Sequence, residues 1–345
     1  MSFLFLLYRR SSLRRICLLL FSLSLLCLTA FAEGPEPETF TLSFVGDLAL
    51  GSDGLMADGP YSFAAIVGED LGYPMKNVVQ YFENDDLTLG NLECVLREGR
   101  FKTKPDGFCL MGSPAFAGIL SQSSIEVVSM ANNHIGDFGP EGIDETERAL
   151  IAAGVTGVRQ NRTQVVTTER GLKVGIFAVF FQTDSAAIDA AVTEMRAQGA
   201  QVLVALVHWG SENSYHTMAD QDKLGQALID KGFHIVAGSH PHLLQKISEY
   251  AGGVIYYSLG NFCFGGNHYP TDMDTAIVQQ QVLRYPDGTV ALGHRTLIPC
   301  CISSETPRNN FQPTPYEAGT EYYDRVLSKL DGTFNGNGTA PTYPW

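Results

Sequence analysis

The feature that most constrains this chain is a series of five short apolar runs, each followed at once by polar side chains. The runs are rich in Val, Ile, Leu and Phe, as buried strands are. In open α/β sheets, ligand-binding residues collect outside the carboxyl ends of strands. The sequence therefore predicts one site, at one edge of a sheet, built from side chains far apart along the chain. The five polar segments are Gly46-Asp47, Gly90 to Glu93, Asn132 to His134, His208 and His240 to His242.

The side chains in these segments are carboxylates, amides and imidazoles, and none of them is a thiol. Oxygen and imidazole donors suit Mn, Fe or Zn. We therefore expect a divalent transition metal as cofactor, as one or two ions.

Further apolar runs alternate with helix-like segments at 75–83, 141–153, 184–198 and 219–230. Alternation of this kind predicts a layered α/β domain. The later apolar runs, 254–259, 276–285 and 290–299, have no helical segment between them. We expect these later runs to form a second, partly antiparallel sheet.

The ends of the chain differ in composition from its middle. Residues 1–32 carry four arginines, then an uncharged run that ends in Ala30-Phe31-Ala32. This pattern predicts either a cleaved export signal or a retained N-terminal anchor, and both make the rest extracytoplasmic. Residues 33–39 are predicted as a spacer and 40–302 as one domain. Residues 303–345, which include a helix-like segment at 316–330, are predicted as a partly disordered C-terminal extension.

The net charge of the chain limits the classes of partner that it can bind. The net charge is −14, and without the four arginines of residues 1–32 there are 19 basic against 37 acidic side chains, or −18. A protein with so negative a net charge is not suited to binding nucleic acid. An anionic substrate would need a local positive feature, such as a metal.

Five cysteines follow residue 32, and their spacing matches no zinc motif. An odd number of cysteines cannot all pair within one chain. We expect either buried thiols or, outside the cytoplasm, a bridge between Cys94 and Cys109.

The polar segments together resemble a known family. Their order, G-D, G-N-x-E, N-N-H, H-x-G-x-E and G-x-H-x-H, is similar to that of the metallophosphatase (calcineurin-like phosphoesterase) superfamily. The variants N-L-E, A-N-N-H-x-x-D-x-G, H-W-G-x-E and S-L-G-N-F resemble the poly-γ-glutamate capsule synthesis (CapA/PgsA-like) family, over about residues 41–264. The resemblance implies a four-layer α/β/β/α sandwich with a metal site at one edge. It also implies a role in capsule or poly-γ-glutamate synthesis or export.

Carried over residue by residue, the resemblance assigns two metal positions. Asp47 and His242 would serve one position, and Asn133, His208 and His240 the other. The bridging role falls to Asn91 or Glu93, and we favour Glu93 because a bridge needs negative charge.

The resemblance also implies catalytic and substrate-binding residues. His134 matches the superfamily's catalytic histidine, and Asp137 is placed to orient it. Glu212 would support His208 or contact substrate. The basic residues near Glu93 predict either a rim that attracts an anionic substrate or a solvated hairpin. These basic residues are Arg97, Arg100, Lys102 and Lys104.

One position departs from the superfamily pattern. Ala49 stands where a histidine ligand is usual, so the Asp47 and His242 position lacks one ligand. We expect Ala49 on a loop, where replacement by His would tighten metal binding at modest cost in stability. Two functions remain open: a hydrolase of a phosphoester or envelope polymer, and a non-catalytic subunit of a membrane synthase complex that holds an anionic polymer.

Overall fold

The computed structural model describes residues 36–99, 108–305, 308–336 and 343. The strands, in chain order, are β1 (Glu38–Ala49), β2 (Ser52–Asp53), β3 (Leu87–Leu92), β4 (Val95–Leu96), β5 (Leu110–Gly112), β6 (Val127–Ser129), β7 (Thr156–Val158), β8 (Thr163–Thr167), β9 (Lys173–Phe180), β10 (Val202–His208), β11 (Ile235–Ser239), β12 (Ile247–Tyr250), β13 (Gly253–Tyr256), β14 (Asn261–Phe264), β15 (Asp274–Arg284), β16 (Val290–Cys301) and β17 (Thr314–Pro315). The α-helices are α1 (Phe63–Val67), α2 (Val79–Phe82), α3 (Ala117–Gln122), α4 (Gly139–Ala153), α5 (Ser185–Ala197), α6 (Ala219–Asp230) and α7 (Glu321–Asp331), and a 3₁₀ turn spans Pro114–Phe116.

Two large sheets form the centre of the fold. The first has the strand order β17-β16-β15-β1-β3-β6-β7, and β14 also pairs with β1. The second has the order β12-β13-β11-β10-β9-β8, and β2, β5 and β4 form a small third sheet. In both large sheets the central strands run parallel.

Helices cover the outer faces of the two sheets. The first sheet packs against α1 to α4 through side chains such as Leu150. Apolar side chains of both sheets, such as Leu42 and Val204, meet between them. The second sheet packs on its other face against Ile188 of α5 and Leu228 of α6. These layers confirm the predicted α/β/β/α sandwich.

Strand β10 shows why its polar residue lies at the strand end. Every residue of this strand is buried, because helices cover one face and the first sheet covers the other. Successive side chains alternate between the inter-sheet layer and the helix layer. A polar side chain is therefore accommodated only where the strand leaves the core, at His208. The residues facing the inter-sheet layer are Val202, Val204 and Leu206, and those facing the helices are Leu203, Ala205 and Val207.

The prediction that the later apolar runs build a second, partly antiparallel sheet holds only for the run at 254–259, which supplies β13 of the second sheet. Strands β15 and β16 form an antiparallel hairpin that joins the first sheet beside β1. The second sheet is antiparallel only at its edge strands, β8 and β12. Sheet membership depends on pairing between distant segments, which the pattern of apolar runs does not encode. The helix predicted at 75–83 is also shorter and spans only α2.

The described residues after 302 belong to the same compact unit, which begins at Thr39. Phe311 is fully buried in the core beside the first sheet. Strand β17 pairs with β16, and α7 packs Val326 and Leu330 against Ile302 and Met273. The segment predicted as an extension therefore contributes to the core.

Residues 1–32, with the predicted signal or anchor, lie outside the described residues. Within the described part, no helix is long and apolar enough to span a membrane. Cys94 and Cys109 are both buried, and no disulfide joins the cysteines of the described residues. The interpretation as buried thiols therefore holds.

Candidate metal centre

The carboxyl ends of five parallel strands bring the predicted residues together. Asp47 near the end of β1 is level with Asn91 on β3 and Asn261 on β14. In the second sheet, His208 at the end of β10 is level with Ser239 of β11. Parallel pairing thus places side chains from distant segments at one edge.

Two groups of ligand-type side chains share one carboxylate. Glu93, His208 and His240 form one group, and Asp47, Glu93 and His242 form the other. In each group the potential ligand atoms lie within 4.8 Å of one another. This arrangement matches the predicted pair of metal positions with Glu93 between them.

Asn133 joins the first group. Its Oδ1 lies 2.7 Å from Nε2 of His208, and the same Nε2 lies 3.3 Å from Oε1 of Glu93. Three potential ligand atoms from three different segments therefore converge.

The donor set fits a cation. Both carboxylate oxygens of Glu93 and Nδ1 of His240 are buried and make no hydrogen bond within the described residues. A buried carboxylate with no hydrogen bond is costly unless a positive charge compensates it. Burial, and then the nearby Asp47 carboxylate, raise the pKa of Glu93 well above its usual value. A divalent ion would remove both penalties.

Asn91 contacts two of the potential ligands through its amide nitrogen and is not itself placed as a ligand. Its amide nitrogen donates to Oδ1 of Asp47 at 2.8 Å and lies 3.1 Å from Nδ1 of His208. Its amide oxygen accepts from Nδ2 of Asn132 at 3.1 Å. Because the oxygen is engaged and the nitrogen faces the centre, the geometry favours Glu93 over Asn91 as the bridge.

Burial and mutual charge set the protonation of the centre. Burial lowers the pKa of His208 to about 3 and that of His240 to about 4, so both rings are neutral and suited to bind metal. Burial alone would lower the pKa of His242, but Glu93 and Asp47 raise it to about 10. Burial likewise opposes ionisation of Asp47, but the hydrogen bond from His242 and the positive charges that His208 and His242 carry at low pH bring its pKa to about 2. Without metal, protonated His242 thus balances Asp47.

A cavity of about 230 Å³ opens beside the centre, and His134 and His242 both line it. Nδ1 of His134 lies 2.8 Å from Oδ2 of Asp137. Asp137 is buried, and the same oxygen accepts from the backbone N–H of Leu110 at 2.8 Å. Asp137 therefore holds the His134 ring in one orientation at the cavity wall.

The expectation that Ala49 lies on a loop is wrong. Ala49 is the last residue of β1, is fully buried, and pairs with Phe264 of β14. Its side chain packs in the core between the first sheet and the helices. A histidine there would meet packed apolar side chains.

The two predicted substrate-binding residues that the structure describes, Glu212 and Arg97, do not line the same cavity. Glu212 is exposed and lines the cavity. Arg97 instead forms an ion pair of 2.9 Å with Glu145 on α4 and stacks over Phe138, and it is not among the cavity-lining residues. Its charge is thus compensated by the protein itself. The other basic residues predicted here, Arg100, Lys102 and Lys104, lie outside the described residues.

Three residues that orient the ligands were missed from the sequence. Oγ of Ser239 lies 2.8 Å from Nδ1 of His208, and Oδ1 of Asn261 lies 2.9 Å from Nδ1 of His242. Asn132 accepts from the backbone N–H of His134 at 3.2 Å. Ser239 and Asn132 each lie next to a predicted ligand, and Asn261 lies in the S-L-G-N-F motif, so their positions in the motifs were the available signal.

A family model described as "Bacterial capsule synthesis protein PGA_cap" matches residues 41–266. The chain belongs to this family. It is 27% identical over 301 residues to a capsule biosynthesis protein CapA of Bacillus anthracis, covering 79% of this chain and 70% of the relative. It is 27% identical over 309 residues to a PGA biosynthesis protein CapA of Bacillus subtilis, covering 80% of this chain and 76% of the relative.

More distant similarities extend the comparison. A probable polyglutamine synthesis accessory protein of Mycobacterium tuberculosis is 28% identical over 228 residues, covering 56% of this chain and 60% of the relative. The structure of Haemophilus influenzae NAD nucleotidase is similar with a TM-score of 0.43 at 12% identity, covering 86% of this chain and 63% of that one. The four-layer assignment rests on the sheets and helices of this chain itself.

Proposed function

We propose that this chain is an extracytoplasmic metal-binding protein of capsule or poly-γ-glutamate synthesis or export that hydrolyses a phosphoester or an envelope polymer. One observation carries the proposal: His134, backed by Asp137, lies on the cavity that His242 of the metal centre also lines. A proton donor beside a bimetal-type ligand set suits hydrolysis. The extracytoplasmic location rests on the pattern of residues 1–32.

The proposed cofactors are one or two divalent ions of Mn, Fe or Zn. Asp47, Glu93 and His242 would hold one ion, and Glu93, His208 and His240 the other. When bound, such ions activate water as a nucleophile and neutralise charge on the group being cleaved.

His134 would supply the proton for the leaving oxygen. Its Nδ1 faces Asp137, so a proton on Nδ1 stays in that hydrogen bond. The second ring nitrogen then exchanges a proton with the leaving group. Asp137 would keep the ring oriented toward the cavity.

The proposed substrate is anionic, either a polymer or a phosphoester. The names of the relatives refer to capsule, PGA and polyglutamine synthesis. A protein with a net charge of −14 repels a polyanion at long range. The metal centre would provide the local positive charge, and subunits of a membrane synthase or export complex would be the protein partners.

The test combines metal content with turnover of a generic phosphodiester, bis(p-nitrophenyl) phosphate. We expect protein loaded with Mn²⁺ to retain metal and hydrolyse the ester. His134→Ala should keep the metal and lose about 10²- to 10⁴-fold in rate, as for loss of a general acid. His216→Ala, at an exposed position, is the matched control and should behave as wild type.

A second candidate function is a non-catalytic subunit that holds polymer in the same cavity. The buried Ala49 favours it, because β1 offers no histidine for the Asp47 and His242 group. Metal retention without turnover, in wild type and His134→Ala alike, would support this second function over hydrolysis.

A further inference from the structure

A buried cluster of charges connects α7 to the cavity wall. The Lys329 ammonium on α7 is fully buried and contacts the carboxylates of Asp272 and Asp274. Arg325, one turn earlier, donates two hydrogen bonds of 2.6 Å to Asp274. Two cations thus face two buried anions, as buried charges require.

Asp272 is the member of this cluster that also lines the cavity beside the metal centre. The hydroxyl of Tyr215 donates to the same carboxylate. Tyr215 follows Glu212 and Asn213, which line the cavity as well. Asp272 therefore joins two cavity-lining segments to α7, which lies beyond the part of the chain matched by the family model.

We propose that Lys329 is a positioning residue for anion binding in this cavity, acting through its ion pair with Asp272. The proposal rests on the proposed function, since it takes an anionic part of the substrate to enter beside the metal centre. Without Lys329, Asp272 would keep the hydrogen bonds from Tyr215, Tyr343 and the backbone N–H of Asp274, but its negative charge would no longer be balanced by that ammonium. That charge on the cavity wall would repel an entering anion.

The experiment measures the affinity of Mn²⁺-loaded protein for inorganic phosphate by isothermal titration calorimetry. We expect Lys329→Met to weaken phosphate binding about tenfold, because it leaves a negative charge near the anion. Lys329→Met combined with Asp272→Asn should recover most of that loss. Lys231→Met, which removes a surface pair with Asp189, is the matched control and should bind phosphate as wild type does.

Metal content and urea unfolding of each variant separate positioning from general stability. Leu330→Ala, a neighbour on α7 that changes no charge, should lower stability and leave phosphate affinity unchanged. If Lys329→Met does not fold, Tyr215→Phe removes only the hydrogen bond to Asp272 and should still weaken phosphate binding.

The outcomes distinguish the two claims. Absence of phosphate binding to metal-loaded wild type would count against the proposed function itself. Phosphate binding in wild type that Lys329→Met leaves unchanged, or that the double variant fails to recover, would overturn the role of Lys329 alone. So would an affinity that merely follows the free energy of unfolding across all variants.

Discussion

The chemistry of the centre is decided at Glu93, the carboxylate that both ligand groups share. Asp47 already has hydrogen-bond partners in Asn91 and the His240 backbone, whereas the oxygens of Glu93 have none within the described residues. A buried carboxylate that accepts hydrogen bonds can be stable without a bound cation. A buried carboxylate without hydrogen bonds costs far more free energy unless a cation compensates its charge. Glu93 is thus the residue whose environment most requires a cation.

Ser239 should control how tightly the first group holds its metal. Nδ1 of His208 contacts Nδ2 of Asn91 and Oγ of Ser239, and of these two only the serine hydroxyl can accept a hydrogen bond from it. That hydrogen bond leaves Nε2 unprotonated toward Asn133 and Glu93. We expect Ser239→Ala to weaken metal affinity about tenfold or more, as loss of such supporting partners does.

A chelator competition assay with Mn²⁺ measures this effect. Ser211→Ala, at an exposed position in the segment after β10, serves as the control. Equal affinities of wild type and Ser239→Ala would show that another group fixes the His208 ring.

Ala49→His should destabilise the protein instead of completing the second group. Ala49 has no exposed surface and packs with Leu48, Leu50 and Phe264 in one core cluster. Inserting a ring costs about 1 to 3 kcal/mol from overpacking, and more if its nitrogens find no partner. Urea denaturation measures this loss, with Ala49→Ser as the small-residue comparison. Unchanged stability together with tighter metal binding would contradict this expectation.

The residue types in the centre follow from the motifs, but the hydrogen bonds that hold them do not. Asp, Glu and His after apolar strands are uncommon enough to predict ligands at Glu93 or His208. Serine and asparagine are ordinary loop residues, so Ser239 and Asn132 carry little signal by themselves. Their roles depend on which strand end lies next to which.

At the scale of elements, apolar runs located most of the long strands, because residues buried on both faces leave a continuous signal. The sequence predicted that β1 ends before Ala49, because Asp47 is typical of a turn, but the strand continues through Asp47 to Ala49. The register of β1 against β3 shifts between Phe44 and Asp47, which leaves one extra residue in β1 there, and pairing then continues through Leu48. Such a shift breaks the simple alternation of side chains that a sequence pattern assumes.

The connection between α2 and β3 should make stability depend on pH. Asp85 lies there, and burial raises its pKa to about 7, against the hydrogen bonds from Ser43 and Thr88. The folded protein therefore holds this proton more tightly than the unfolded chain. Stability from Asp85 is greatest below about pH 4 and declines as pH rises toward 7.

Asp85→Asn should remove this dependence and raise stability at pH 8 relative to wild type. The measurement is the free energy of unfolding in urea at pH 5 and pH 8. Asp58→Asn, at an exposed position, is the control. If wild type and Asp85→Asn change equally between the two pH values, Asp85 ionises normally.

At the scale of the whole molecule, the end of the domain was the least predictable feature. Polar and Pro-rich composition after residue 302 resembles an extension, yet Asn309, Asn310 and Gln312 are buried. Their side chains hydrogen-bond to distant segments, for example Asn309 to the Phe264 carbonyl at 2.8 Å. A polar segment can be core when its partners are supplied by the fold, and composition does not reveal those partners.

Leu330→Ala tests whether this segment is part of one cooperative unit. Leu330 on α7 is about as buried as any core residue and packs with Met273 and Ile302. Truncating it should lower the free energy of unfolding by about 2 to 5 kcal/mol. Ile151→Ala on α4, whose side chain is largely exposed, should cost less than about 0.5 kcal/mol.

The shape of the transition matters as much as its midpoint. If α7 and the segment before it fold with the two sheets, Leu330→Ala should shift one single transition, seen alike by far-UV circular dichroism and by fluorescence of the buried Trp209. An independent extension would instead unfold early and leave the Trp209 transition where it is in wild type. Lys329 and Arg325 form ion pairs with Asp272 and Asp274, at and just before the start of β15. Unfolding α7 alone would leave these two carboxylates without their cations, so we expect the single transition.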